Sequence, residues 1–176
     1  MTKRDWLINI RNSKQMTQQE VAYTAFIDRA YYAQIESGAR NPSGDVTKRI
    51  GDVLGFHYTN FERDENSFTV SLRNSPMTLA HCDLDLRYTW VFNPIMHQEL
   101  SDLIGKRDTD ILNNDGSLAL MKLKRDILEQ KIGIRRKITY PNPTGTISYD
   151  VYGQPLLNEK GIMIGVTTAA TELVNS

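Results

Sequence analysis

Arg29 and Gln34 are the side chains whose types and spacing point most directly to chemistry. Tyr32 and Ile35 stand three residues apart, a helical repeat. If that apolar pair faces a core, then Arg29, Ala30, Ala33 and Gln34 face outward. A helix that exposes a guanidinium and a carboxamide in this way can lie in the major groove of duplex DNA. There an Arg fork donates two hydrogen bonds to a guanine, and a Gln amide pairs with the edge of an adenine. The chemistry open to such a face is base recognition by hydrogen bonds, and the same pattern also fits solvated residues on a small helical bundle.

Patterns for catalysis are missing. The sequence holds no Gly-rich phosphate loop, no G-x-S-x-G, no H-E-x-x-H and no carboxylate pair on an evident site, so no enzyme is expected. His57, His81 and His97 are not spaced as metal ligands; they read as surface or capping residues, and no metal is expected. Cys82 is the single cysteine, so neither an intramolecular disulfide nor a cysteine-based zinc site can form. It reads as a small core residue, and only a depressed thiol pKa would make it a redox switch.

The 176 residues are 40% hydrophobic and 24% charged, with room for one ordinary domain or two small ones. Lys+Arg and Asp+Glu both number 21, so charge does not announce a nucleic-acid partner. Residues 1–63 hold nine basic against seven acidic side chains, a net +2, and residues 64–176 hold twelve against fourteen, a net −2. The sign suits DNA in the first part, but its size is too small to carry the reading. No apolar run approaches the roughly 20 residues of a membrane span, and no signal-peptide core follows the N-terminus. A cytoplasmic protein with no membrane partner is expected.

The elements that must position Arg29 and Gln34 follow from caps and periodicity. Trp6, Leu7 and Ile10 share one helical face. Thr17-Gln18-Gln19-Glu20 is a capping box opening a second helix, with Val21, Ala22 and Ala25 on its buried stripe. Asp28 is a suitable N-cap for the helix carrying Arg29, and Gly38 ends it. Val46, Ile50, Val53 and Leu54 line a fourth helix closed by Gly55, and a short helix is expected around 58–62. Beyond the polar stretch 63–67 the pattern changes. Residues 84–91, 132–140, 146–157 and 162–168 read as strands, and Leu118, Met121, Leu123, Ile127 and Leu128 mark an amphipathic helix. The order is a strand pair, helices, then three strands, an α+β domain with an antiparallel sheet beginning near residue 64.

The stretch Met16–Phe56 resembles the Xre/Cro-type, phage-repressor-like helix-turn-helix family. Thr17, Gln18, Glu20, Ala22, Ile27-Asp28, Ile35-Glu36, Gly38, Arg40, Pro42 and Ser43 match its frame at fixed offsets. The resemblance implies an all-α bundle in which Arg29, Ala30 and Gln34 contact bases and Gln18 clamps a phosphate. Tyr31, Arg40 and Asn41 become candidates for further backbone contacts, which fix register. It also implies a bridge between Arg11 and Glu36. One departure is Phe26, which stands where the family usually has Gly. A bulky residue takes the left-handed conformation at a cost, so a different or a strained turn is expected, with Phe26 filling the core.

Residues 72–173 resemble a PAS domain of the kind found in bacterial sensor kinases. The resemblance rests on 72–94, on Ile104-Gly105-Lys106-Arg107-Asp108, on Tyr149-Asp150-Val151, on Gln154-Pro155-Leu156 and on 165–171, with 85–90 its most specific run. Cys82 lacks the N-C-R-F context of a flavin–thiol photosensor, and residues 114–131 hold no His for a haem, so no such cofactor is expected. An apolar pocket lined by Tyr88, Trp90, Met121 and Tyr149 would suit a small-molecule ligand, although residues at such spacings also serve as plain core.

Together the two resemblances imply a homodimeric transcription regulator on a palindromic double-stranded operator, whose PAS domain joins the copies and senses a small molecule or redox state. Two alternatives stay open: a PAS domain that only dimerises, and an adaptor that recruits protein with DNA binding secondary. The segment 68–74, where Phe68 and Leu72 lie one helical turn apart, is expected to contribute to the dimer.

Overall fold

The computed structural model describes residues 3–62, 71–72, 75–95, 99–143 and 145–173. The chain divides into two compact units, Met1–Arg63 and Asp64–Ser176. Phe68 lies outside the described residues.

The first unit contains α1 (Asp5–Ser13), α2 (Gln18–Thr24), α3 (Arg29–Glu36) and α4 (Gly44–Leu54), then a 3₁₀ turn at Tyr58–Phe61. Its helix starts are set locally. Thr17 Oγ1 accepts from Glu20 N at 3.2 Å, and Glu20 Oε2 accepts from Thr17 N at 2.7 Å. Asp28 Oδ1 accepts from Ala30 N at 2.7 Å and Tyr31 N at 3.2 Å. Leu7, Ile10, Val21, Tyr32, Ile35, Ile50 and Leu54 close the core. Trp6 packs edge-on against Phe56 and Phe61, with ring centroids 5.4 and 5.1 Å away.

Phe26 corrects the expectation from sequence. It does take the left-handed conformation, φ +55, and its side chain is 84% exposed instead of plugging the core. The hydrogen bonds explain why. Ile27 N donates to Ala22 O at 3.0 Å and Phe26 N to Tyr23 O at 3.2 Å, the paired bonds of a Schellman closure at the end of α2. Those two bonds demand a positive φ at residue 26, and with that backbone the Cβ points to solvent. The turn is therefore the strained alternative, with Phe26 held at positive φ.

The second unit holds β1 (Met77–Asp83), β2 (Tyr88–Phe92), α5 (Leu100–Leu103), α6 (Asp108–Ile111), α7 (Asp115–Gln130), β3 (Ile134–Asn142), β4 (Gly145–Leu157) and β5 (Met163–Leu173). All neighbours are antiparallel, in the order β2-β1-β5-β4-β3. This open sheet, with helices inserted between its second and third strands, is the PAS arrangement. The expected strand over 84–91 divides into a turn and one strand, β2, while β1 lies before it. Asp83 Oδ1 accepts from Asp85 N and Arg87 N, both at 2.9 Å, and Leu86 has φ +63, so residues 84–87 make the hairpin turn.

One sheet face packs on α7. Cys82, Ile138, Tyr140, Tyr149, Val151 and Val166 meet Leu120, Met121, Leu123 and Ile127. Full burial of each such side chain is worth roughly 1.5–3 kcal/mol. A Cβ at Gly116 would lie 2.4 Å from the Tyr140 ring, so glycine is what lets the first turn of α7 settle on that tyrosine.

Candidate DNA-recognition face and buried polar cavity

On α3, Tyr32 and Ile35 are buried while Arg29, Ala30 and Gln34 are exposed, so these three face outward as the periodicity implied. Tyr31 is half-buried, and the Arg40 guanidinium lies 4.7 Å above its ring. That stacking joins Arg40 to the helix flank. Asn41 is exposed and takes a hydrogen bond from Arg4 Nη2.

Arg4 is a residue that sequence reading missed. Its guanidinium also donates to Ile35 O at 2.6 Å and Arg40 O at 3.1 Å, and lies 5.9 Å over the Phe61 ring. It thus ties the carbonyls at the end of α3 to the loop carrying Arg40 and Asn41. No sequence signal distinguished it from any other Arg near a terminus.

Beneath this face Arg11 Nε donates to Glu36 Oε1 at 2.6 Å, and Nη2 to Oε2 at 3.3 Å. Arg11 Nη1 reaches Met16 O at 2.8 Å, and Gln18 Nε2 donates to Glu36 Oε2 at 2.8 Å. The hydrogen bond to Glu36 raises the Arg11 pKa further above its already high value. An amide nitrogen carries two N–H donors, so Gln18 is aimed by Glu36 through one and keeps the other.

In the second unit a cavity of about 70 Å³ is bounded by Tyr88, Asp108, Ser117, Tyr140 and apolar side chains including Val91, Leu103 and Leu120. Behind it lies a buried ion pair, Lys124 Nζ to Asp108 Oδ2 at 2.6 Å, with side chains 1% and 5% exposed. Tyr88 donates its hydroxyl to Asp108 Oδ1, and the Lys124 ammonium sits 4.1 Å from the Tyr88 ring centroid. Burial alone would lower the Lys124 pKa, but the Asp108 charge and hydrogen bond more than offset it, and the ammonium is held above its ordinary value. Burial, followed by the Asp108 charge, pushes the Tyr88 phenol well above its ordinary range, so it stays a donor.

Of the four residues expected to line a pocket, Tyr88 does so, while Met121 and Tyr149 lie in the core beside it. Trp90 is a correction. A register shift between His81 and Cys82 sets Tyr88 opposite Cys82 and Trp90 opposite His81. Two residues that would share a face in a regular strand are thereby sent to opposite faces, and Trp90 stacks on His81 at 4.8 Å. Asp108 and Lys124 were missed, although Lys124 falls on the apolar stripe of α7 between Leu120 and Ile127, a position that asks for a partner. Cys82 is buried, and burial pushes its thiol up to about 11, which removes the thiolate a redox switch needs. Among the described residues no group of three His, Cys, Asp or Glu is placed to hold a metal ion, and no helix is long and apolar enough to cross a membrane.

A capped second helix leading through a tight turn into an outward-facing recognition helix defines a DNA-binding helix-turn-helix unit, here joined to a PAS fold. The helix-turn-helix family HTH_3 matches residues 7–61. YqaF of Bacillus subtilis, an uncharacterized HTH-type transcriptional regulator, is 52% identical over 61 residues, which are 35% of this chain and 80% of that protein. The chain belongs to the Xre-type helix-turn-helix family of transcription regulators. Histidine kinase 5 of Arabidopsis thaliana is 29% identical over 117 residues, 66% of this chain but 13% of the kinase. Vibrio cholerae VqmA, solved with ligand and DNA, superposes with a TM-score of 0.54 at 16% identity, covering 64% of this chain and 54% of VqmA. The chain thus spans only a small part of the kinase and about half of VqmA.

Proposed function

We propose that the protein is a homodimeric transcription regulator in which α3 reads a palindromic operator and the PAS unit both pairs two copies and responds to a small molecule in its cavity. The observation that carries the DNA reading is the exposed set Arg29, Ala30 and Gln34 above the buried Tyr32 and Ile35. Arg29 and Gln34 supply base-edge contacts, and Gln18, Tyr31, Arg40 and Asn41 supply phosphate contacts that set register. The kinase relative shares too little of its length for its activity to transfer, and the reading is of a regulator and not an enzyme.

Pairing is supported by the sheet face turned away from α7. Leu79 stands opposite Phe92 and Ala169, and Trp90 stacks near Phe92 at 6.3 Å, an apolar surface that the helices leave half-buried. Two copies on one duplex make the second contact intramolecular, worth roughly 10²–10⁴ in affinity when the geometry fits. A unit of net charge +2 needs that gain, because phosphate neutralisation supplies much of DNA affinity.

Sedimentation and gel-shift titration of the full chain and of residues 1–66 test this. The full chain should be a dimer, and the shorter piece a monomer that binds the same operator at least tenfold more weakly. A short piece that dimerises and binds equally well would leave the PAS unit without its pairing role.

A further inference from the structure

We infer that the PAS cavity takes a small uncharged molecule of about four non-hydrogen atoms, one that presents an O–H or N–H donor to Asp108 and its carbon skeleton to Val91, Leu103 and Leu120. The inference rests on the reading of this unit as a sensor and names the class of what it senses.

Size is the first constraint. The cavity of about 70 Å³ is close to half of the ~150 Å³ that admits a benzene ring. A flavin or a haem is far too large, and a molecule of three to five heavy atoms fits.

Charge is the second. Asp108 lines the cavity and Lys124 does not; the ammonium is tucked behind, over the Tyr88 ring. The pair already neutralises itself at 2.6 Å. An anion in the cavity would face the Asp108 carboxylate, with no Lys or Arg among the described lining residues. A cation would compete with Lys124 for one carboxylate. Either arrangement leaves a buried charge uncompensated, so a neutral occupant is selected.

Hydrogen bonding is the third. A carboxylate offers about four acceptor sites and no donor. Tyr88 and Lys124 occupy one site on each oxygen, which leaves acceptor capacity on both. A molecule with a donor satisfies it, whereas one with only an acceptor meets the carboxylate as a repulsive neighbour. Ser117 and Tyr140 line the same cavity.

The test uses the full chain with ¹³C-labelled Ile, Leu and Val methyls and three probes of equal heavy-atom count: 2-propanol, acetone and acetate, each titrated to about 100 mM. Shifts should appear at Val91, Leu103 and Leu120 with 2-propanol, at least tenfold tighter than with acetone or acetate. Ala80→Val, which narrows the cavity wall, should remove them. Acetone or acetate binding as well as 2-propanol would overturn the ligand class while leaving the cavity. No shift with any probe would overturn the site itself. Operator affinity measured with and without 2-propanol separates the two readings: selective binding that leaves DNA affinity unchanged keeps the site and sinks the sensor.

Discussion

Each unit holds a carboxylate against a cation, and the two pairs are put to different uses. Arg11 and Glu36 meet with side chains 14% and 2% exposed, where the guanidinium also serves Met16 O and the carboxylate also serves Gln18. Lys124 and Asp108 are buried between α6 and α7, against the Tyr88 hydroxyl and ring. The planar five-donor fork suits the first task, which is to route hydrogen bonds among three segments. The compact ammonium suits the second, a point charge capped by an aromatic face. The same attraction thus aims the Gln18 amide in one unit and builds a cavity wall in the other.

If that contrast is sound, the Lys124–Asp108 pair is the more costly to break. Lys124→Met should destabilise the second unit by about 3–5 kcal/mol, since Asp108 is left buried and unpaired, while Lys124→Met with Asp108→Leu should recover most of the loss. Denaturant melts read both; a single-mutant loss under about 1 kcal/mol would show that water reaches the pair. Arg11→Met should cost the first unit about 3 kcal/mol, because it leaves the buried Glu36 carboxylate with Gln18 but without its cation. An unchanged melt of residues 1–66 would place that pair outside the fold's energetics.

Binding sharpens the comparison from the other side. Arg29→Ala and Gln34→Ala should each remove about 1–3 kcal/mol of specific affinity, whereas Gln18→Ala should weaken operator and scrambled DNA alike. Equal discrimination by both helix variants would withdraw α3 from the groove. The smallest effect is expected at the turn: Phe26→Gly should stabilise the first unit by about 1 kcal/mol by removing a left-handed Phe, and a loss in the melt would mean that the exposed ring packs on something in solution.

The helical unit was legible because its decisions are local. Thr17, Glu20, Asp28, Gly38 and Gly55 act within four residues of themselves, and their positions could be read one by one. Phe26 misled because its side chain suggested burial while its backbone bonds demanded positive φ. The second unit depends on partners far apart in sequence. Residues 77–83, Met-Thr-Leu-Ala-His-Cys-Asp, hold a single β-branched residue, Thr78, and no aromatic of the Phe, Tyr or Trp kind, and β1 forms because β2 and β5 flank it. The cavity was hidden for the same reason. Asp108 and Lys124 are ordinary surface types on separate helices, and only the register shift at Cys82 turns Tyr88 toward them.

The strand order has a consequence for how the chain is made. β1 finds its inner neighbour only in β5, with Met77 opposite Thr171, and β2 through β4 are synthesised in between. The helical unit is complete once α4 and the 3₁₀ turn leave the ribosome. The sheet must wait for β5, on the order of ten seconds at 5–20 residues per second. During that interval the nascent chain is a finished DNA reader trailing an unzipped sheet, with β1 and β4 each exposing an edge that the mature fold conceals. Misassociation and capture by chaperones should concentrate there, and loss of β5 would empty the middle of the sheet where loss of β3 would only shorten one side.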